Sequence, residues 1–199
     1  MRYDAEKHRR RSIRLKGYDY SQAGAYFITI CTQDRACLFG DVVDGKMRLN
    51  GWGEIVNRCW HEIPAHFPHA ELDAYVVMPN HVHGILWVVG GHGNIVGARH
   101  AVPLQNAVPK QTEQFGKPVA GSIPTIIRSF KSIVTKHINE TRGAPGVSVW
   151  QRNYYEHIIR SEDSLNRIRQ YITENPTRWA FDRENPFAIA PEPEDAWAL

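Results

Sequence analysis

Two short patterns in this chain bring together residue types that could do chemistry. The first is His81-Val82-His83. On a β-strand, side chains at i and i+2 point to the same face, so two imidazoles could hold one metal ion while Val82 packs into a core. Imidazole suits several divalent ions. The spacing equally fits two ordinary histidines on a half-exposed strand. The second pattern is Tyr171 with Asn175. Residues four apart share a helix face, which would set a nucleophile beside a third ligand. An amide oxygen with two imidazoles leaves coordination positions open, and oxygen ligands there would suit Mg2+ or Mn2+ holding a phosphate. The plainer alternative has Tyr171 packing beside Ile168 and Asn175 capping the helix. Because Asn175 precedes Pro176, the helix is expected to end or kink there.

A phenol with a pKa of about 10 is a poor nucleophile unaided. A metal that polarises a phosphate supplies charge stabilisation. Attack by the phenolate gives a covalent phosphotyrosine and frees a sugar hydroxyl, conserving the bond energy for later rejoining. A further run, from Trp150 to Arg160 (WQRNYYEHIIR), mixes aromatics and cations in a composition suited to stacking bases and holding phosphates. It also fits a core strand with satisfied polar groups. His157 is a candidate accessory group, as proton carrier or extra ligand. Tyr154 and Tyr155 are rival nucleophiles without a metal-capable partner at matching spacing.

These side chains need a scaffold. Ala25 to Thr32 (AYFITICT) is β-branched and aromatic and reads as a strand. Gly40 to Asn50 is turn-rich, with Asp44-Gly45 a hairpin tip. Ile55, Cys59 and Ile63 give Gly51 to His66 a helical rhythm. Leu72 to Met78 and His81 to Val89 are strands joined by the turn residues Pro79-Asn80. Residues 90–122 are rich in Gly, Pro and polar groups and read as a long loop or insertion. Pro124 to Thr141 is an amphipathic helix with Arg128, Lys131 and Lys136 interleaved. Val149 to Ile159 reads as a fourth core strand. Ser161 caps a last helix running to about Glu174, with Leu165, Ile168 and Ile172 as its buried stripe. The fold class expected is α+β: a ferredoxin-like βαββαβ antiparallel sheet with helices on one face, plus a C-terminal helix carrying Tyr171.

The chain has 199 residues, 42% of them apolar and 23% charged, enough for one domain with a real core. Its net charge is +3, a weak sign of an anionic partner. The distribution says more. Residues 1–20 form a basic arm, 21–186 the domain proper, and 187–199 an acidic tail with Glu192, Glu194 and Asp195. Such asymmetry is expected near nucleic acid, although a solvated terminus has the same composition. Candidate phosphate contacts are Arg10, Arg11 and Arg14 of the arm, Lys131 of the helix, and Arg152 and Arg160 of the aromatic run. Cys31, Cys37 and Cys59 show no paired spacing, which argues for reduced thiols and a cytoplasmic setting. No apolar run is long enough to span a bilayer, so no membrane partner is expected.

The chain resembles the REP-associated tyrosine transposases, a branch of the single-tyrosine HUH transposases. The likeness runs from Arg10 to about Pro186. It is carried by RRSIRLKGYDYS at Arg10 to Ser21, YVVMPNHVHGIL at Tyr75 to Leu86, SFKSIVTKHIN at Ser129 to Asn139, WQRNYYEHIIR at Trp150 to Arg160 and YITENP at Tyr171 to Pro176. The resemblance implies that His81 and His83 are the pair binding the divalent ion and that Tyr171 attacks DNA. Asn175 falls where relatives carry a polar ligand. It further implies a DNA transposase and endonuclease that cuts single-stranded DNA, often beside a hairpin, leaving a 5′-phosphotyrosine and a free 3′-hydroxyl. The implied partner is single-stranded or hairpin DNA, with the protein acting as monomer or homodimer. The loop at 90–122 and the tail lie outside the likeness.

Two other classes fit parts of the sequence. A non-catalytic nucleic-acid-binding module could stack bases on Tyr26, Trp87 and Tyr155. A metallohydrolase acting on a small phosphorylated molecule would not need the basic arm.

Overall fold

The computed structural model describes residues 18–90, 119–193 and Trp197. Arg10, Arg11 and Arg14, most of the 90–122 loop and part of the acidic tail lie outside the described residues. Strand β1 is Gly24–Cys31. A hairpin of β2 (Gly40–Val43) and β3 (Lys46–Leu49) follows as a separate two-stranded ribbon. Its tip is Asp44-Gly45, both at positive φ (51° and 68°), the geometry a two-residue hairpin turn demands. Then come α1 (Gly51–His61), α2 (Ile63–His66), β4 (Ala70–Val77), β5 (His81–Val88), α3 (Ile123–Arg142), β6 (Tyr155–Ile159) and α4 (Glu162–Glu174). A 3-10 segment, Asn175–Phe181, continues directly from α4.

The main sheet has the order β4-β5-β1-β6, with all neighbours antiparallel. Setting the ribbon aside, this is the ferredoxin-like order expected. Alternation along the strands makes two cores. Tyr26, Ile28 and Ile30 of β1 join Val82, Leu86 and Val88 of β5 beneath α1 and α3. Ala25 and Phe27 with Ile85 and Ile159 meet Leu165, Ile168 and Ile172 of α4 on the opposite face. The face that a bare βαββαβ unit leaves open is therefore partly covered by α4.

Two sequence expectations are corrected. The helix expected over Gly51 to His66 breaks after His61 because Pro64, the second residue of α2, has no amide proton to continue the ladder. The strand expected from Val149 is ordered only over Tyr155–Ile159, with Trp150 joined to Thr32 by an isolated bridge. Lys131 explains part of the difference. Its ammonium donates to the carbonyls of Gln151, Arg152 and Asn153 at 2.6, 3.2 and 3.4 Å, so three successive carbonyls turn toward α3 and the pairing with β1 is kept only at its start, where Gln151 N donates to Cys31 O at 3.0 Å.

Gly84, next to His83, sits beneath the fully buried Trp60. A methyl group there would run into the indole. Trp60 is wedged edge-on against Phe130 (centroids 5.2 Å apart) and cannot yield freely. Gly84→Ala should therefore destabilise the fold by about 3 kcal/mol, read as a drop in the urea midpoint.

Candidate functional site

The strand alternation sets His81 and His83 on the α4 face of β5, opposite Cys31 and Thr29 of β1. Both imidazoles are buried, and their ring centroids are 4.4 Å apart. Thr29 Oγ1 lies 2.8 Å from His83 Nδ1, and Asn80 Oδ1 lies 2.9 Å from His81 Nδ1. The second ring nitrogens face α4 and the segment beyond it. His83 Nε2 is 3.4 Å from the Tyr171 hydroxyl. His81 Nε2 is 3.7 Å from Asp182 Oδ2.

α4 delivers Tyr171 because its amphipathic stripe seats it on the sheet and a clamp fixes its position along it. Arg169 Nε and Nη2 donate to Asp73 of β4 at 2.9 and 2.6 Å, and the Trp87 indole donates to the same carboxylate at 2.9 Å. Burial pushes the Asp73 carboxyl up, but the Arg169 and Trp87 bonds outweigh it and hold the group below the usual carboxylate range. Asp73 stands at the irregularity in the β4–β5 pairing between Leu72 and Tyr75, where an added residue re-aims a side chain.

Helix α4 ends at Glu174, as Pro176 requires, yet Asn175 keeps right-handed helical dihedrals (φ −53°, ψ −41°) and enters the 3-10 segment. Its side chain is buried. Asn175 Nδ2 donates to Asp182 Oδ2 at 2.9 Å, while Glu184 N donates to Asp182 Oδ1 at 2.6 Å. His81, His83 and Asp182 offer ligand atoms that all lie within 4.8 Å of one another. Sequence reasoning missed Asp182, which belongs to no local pattern and arrives only through the turn after α4.

Two buried polar atoms at this point have no hydrogen-bond partner: His81 Nε2 and Asn175 Oδ1. Unpaired buried polar atoms are costly, and here both stand beside a carboxylate. Two imidazole nitrogens, a carboxylate oxygen and an amide oxygen are a donor set that a divalent cation fits. Burial pushes both imidazoles toward the neutral form that ligation needs. For His81 the Asp182 and Glu184 carboxylates and Asn175 oppose it, and for His83 the neighbouring His81 adds to it. Burial also drives the Tyr171 phenol well above its ordinary range, reinforced by Asp182, Glu192 and Glu184 and opposed by Arg178. The phenol is thus held in its protonated form.

Tyr171 and His83 line a cleft of about 190 Å³ that also takes in Tyr155, Trp197 and the cations Arg35 and Arg183. Tyr154, the other rival nucleophile, lines it too. His157 stands elsewhere. It pairs across from Phe27, one row along the sheet from His83, and its ring is 4.3 Å from that of Trp197. With Arg160 it lines a second hollow beside β6. Arg152 is exposed on the loop bordering the cleft, whereas the ammonium of Lys131 is turned inward and its pKa is pushed down to about 8 by burial. Of the aromatics considered for base stacking, Tyr26 is fully buried on the α1–α3 side, its hydroxyl donating to Gln22 O at 2.8 Å. Trp87 is held by Asp73. Among the described residues, no helix is long and apolar enough to cross a membrane.

No family model matches the chain. It is 42% identical over 182 residues to an uncharacterized protein of Haemophilus influenzae, covering 92% of this chain and 96% of that protein. It is 23% identical over 163 residues to a protein of the same organism named "Putative REP-associated tyrosine transposase", covering 82% of this chain and 76% of that one. Among solved structures, a REP-associated tyrosine transposase bound to a REP hairpin superposes with a TM-score of 0.51 at 18% identity, covering 83% of this chain and 73% of that one. This last likeness is one of fold.

Proposed function

We propose that this chain is a REP-associated tyrosine transposase, a reading supported by its 23% identity to a protein of that name and by its fold, and that it cuts and rejoins single-stranded DNA with Tyr171 as nucleophile and a divalent cation at His81 and His83. The observation that carries this reading is the Tyr171 hydroxyl, 3.4 Å from Nε2 of His83, one of three side chains whose ligand atoms lie within 4.8 Å of one another.

His81, His83 and Asp182 would hold the cation, with Asn175 Oδ1 as a further oxygen ligand. Mg2+ or Mn2+ there would polarise a phosphate oxygen and offset the charge that builds up in the reaction. The chain's own residues supply the rest. Thr29 orients His83 through Nδ1. The Asp73–Arg169 clamp fixes the approach of α4. Tyr171 is held in an apolar wall against Phe27, ring centroids 6.2 Å apart and perpendicular. The Tyr171 phenol gives up its proton to solvent as its oxygen attacks phosphorus, the bond from phosphorus to the 3′-oxygen breaks, and the leaving 3′-oxygen takes a proton from solvent to become a hydroxyl while the 5′-phosphate remains on the tyrosine. Water is a weak competitor because the Tyr171 oxygen is already positioned, an advantage of orientation rather than of intrinsic reactivity.

The substrate proposed is a hairpin with a single-stranded flank. Arg35, Arg183 and Arg152 lie in or beside the cleft to meet phosphates, and the basic arm (Arg10, Arg11, Arg14) extends the contact. The 21–186 segment is the catalytic domain in this reading, with 90–122 and the 187–199 tail as appendages.

The test uses the full chain, Mn2+ and single-stranded hairpin DNA. A covalent protein–DNA adduct should appear on a denaturing gel and disappear with EDTA. A binding module without chemistry would form no adduct and keep its affinity in EDTA, and that pair of results would remove the enzymatic reading.

A further inference from the structure

We propose that Asn80 is a positioning residue that fixes which nitrogen of His81 is offered to a cation and, with the same side chain, ties the Asp182 segment to the imidazole pair. The inference rests on the cation-site reading above and deepens it. Asn80 lies in the turn between β4 and β5 and is fully buried. Its Nδ2 donates to Glu184 O at 2.6 Å and to Arg35 O at 3.0 Å. Both partners are backbone carbonyls, which only accept, so the amide cannot be turned over without losing both bonds. Oδ1 must therefore face His81 Nδ1, 2.9 Å away. An amide oxygen also only accepts, so Nδ1 carries the proton and the free lone pair of the ring is on Nε2.

That lone pair points to where the other ligands are. Nε2 is 3.7 Å from Asp182 Oδ2 and has no hydrogen-bond partner. Left to itself, the ring would adopt the opposite arrangement. A carboxylate is a stronger acceptor than an amide, so Asp182 would draw the proton to Nε2 and turn the lone pair away from the ligand cluster. Asn80 outcompetes it by proximity. In metal sites the hydrogen bond at one imidazole nitrogen sets what the other can bind.

The second half of the role is mechanical. Asn80 accepts Thr32 N at its own carbonyl, 2.8 Å, so the turn is pinned to the end of β1. Its side chain then reaches Glu184 O, and Glu184 N is the group that orients Asp182. One residue thus links the turn before the imidazoles to the segment carrying the carboxylate.

The test reads the ring directly, in the metal-free full chain. With ¹⁵N-labelled histidine at pH 8, His81 assigned by its loss in His81→Gln, the nitrogen shifts distinguish protonated from bare Nδ1. Wild type should show a protonated Nδ1. Asn80→Ala should move the proton to Nε2 and raise the Mn2+ dissociation constant about 10- to 100-fold. Asn80→Asp keeps an acceptor at Nδ1 and loses both donors, so it should retain the wild-type tautomer while lowering the melting temperature. A bare Nδ1 in wild type, or an unchanged tautomer in Asn80→Ala, would overturn the proposal. If Asn80→Ala does not fold, the wild-type and Asn80→Asp spectra decide it. Absence of Mn2+ binding by a wild-type chain with Nδ1 protonated would overturn the cation reading instead, so the two failures are told apart.

Discussion

Tyr171→Phe is expected to abolish the covalent DNA adduct, by on the order of 10³-fold or more, while leaving fold and Mn2+ binding almost unchanged. The size follows from what is removed. The substitution deletes one oxygen, and that oxygen is the group proposed to attack phosphorus. The small effect on folding follows from what remains. The hydroxyl makes one contact with His83, at 3.4 Å, and losing it costs about 0.5 kcal/mol. The ring keeps its packing, edge-on to Phe27 at 6.2 Å and beside His83 at 5.3 Å. The comparison that gives the experiment its force is with Tyr155→Phe and Tyr154→Phe. Both rivals line the same cleft, so position in the cleft alone does not choose among the three. Proximity to the imidazoles favours Tyr171. Adduct formation undiminished in Tyr171→Phe and lost in one of the other variants would transfer the nucleophile to that residue.

The parts of the site that were legible in the sequence are those governed by short-range periodicity. A strand alternates with period two, so His81 and His83 had to share a face and Val82 had to enter the core, as it does. The helix period aimed Leu165, Ile168 and Ile172 at the sheet, and Tyr171 follows the same stripe. The hairpin tip at Asp44-Gly45 follows from local backbone preference. What stayed hidden depends on contacts between distant segments. Asp182 enters the site only because α4 continues through Asn175 into a 3-10 turn instead of leaving at Pro176. Asn80 read as turn chemistry, which it is, but its side chain also spans two other segments. Lys131 read as one of several exposed cations on a helix, whereas three carbonyls of a distant loop take its protons. The late start of β6 at Tyr155 has part of the same origin. For Asn80 and Lys131 the side chain bonds to backbone groups far along the chain, and no short window of sequence contains both partners.

Asp182→Asn is expected to separate the cation's contribution from the protein's own stability, with opposite signs in the two. In the metal-free protein His81 Nε2 and Asn175 Oδ1 are unpaired while Asp182 adds negative charge beside them. An amide at 182 offers a remedy. Its oxygen can keep the bond from Glu184 N, its nitrogen can donate toward Asn175, and Asn175 can turn its own amide so that a donor faces His81. The network would then close without any cation, so the metal-free variant should unfold no earlier than wild type, and about 1 kcal/mol later if the turn of Asn175 is complete. The cation-bound state moves the other way, because a charged ligand has become a neutral one. At a Mn2+ concentration 100 times the wild-type dissociation constant, binding stabilises the wild type by about 2.7 kcal/mol. A tenfold weaker site at the same concentration leaves about 1.4 kcal/mol. Thermal unfolding with and without Mn2+ measures both quantities in one experiment. A variant that melts early without metal yet keeps the full Mn2+ shift would mean that Asp182 only braces Asn175 and Glu184. The cation would then have to be held by the two imidazoles and the Asn175 oxygen.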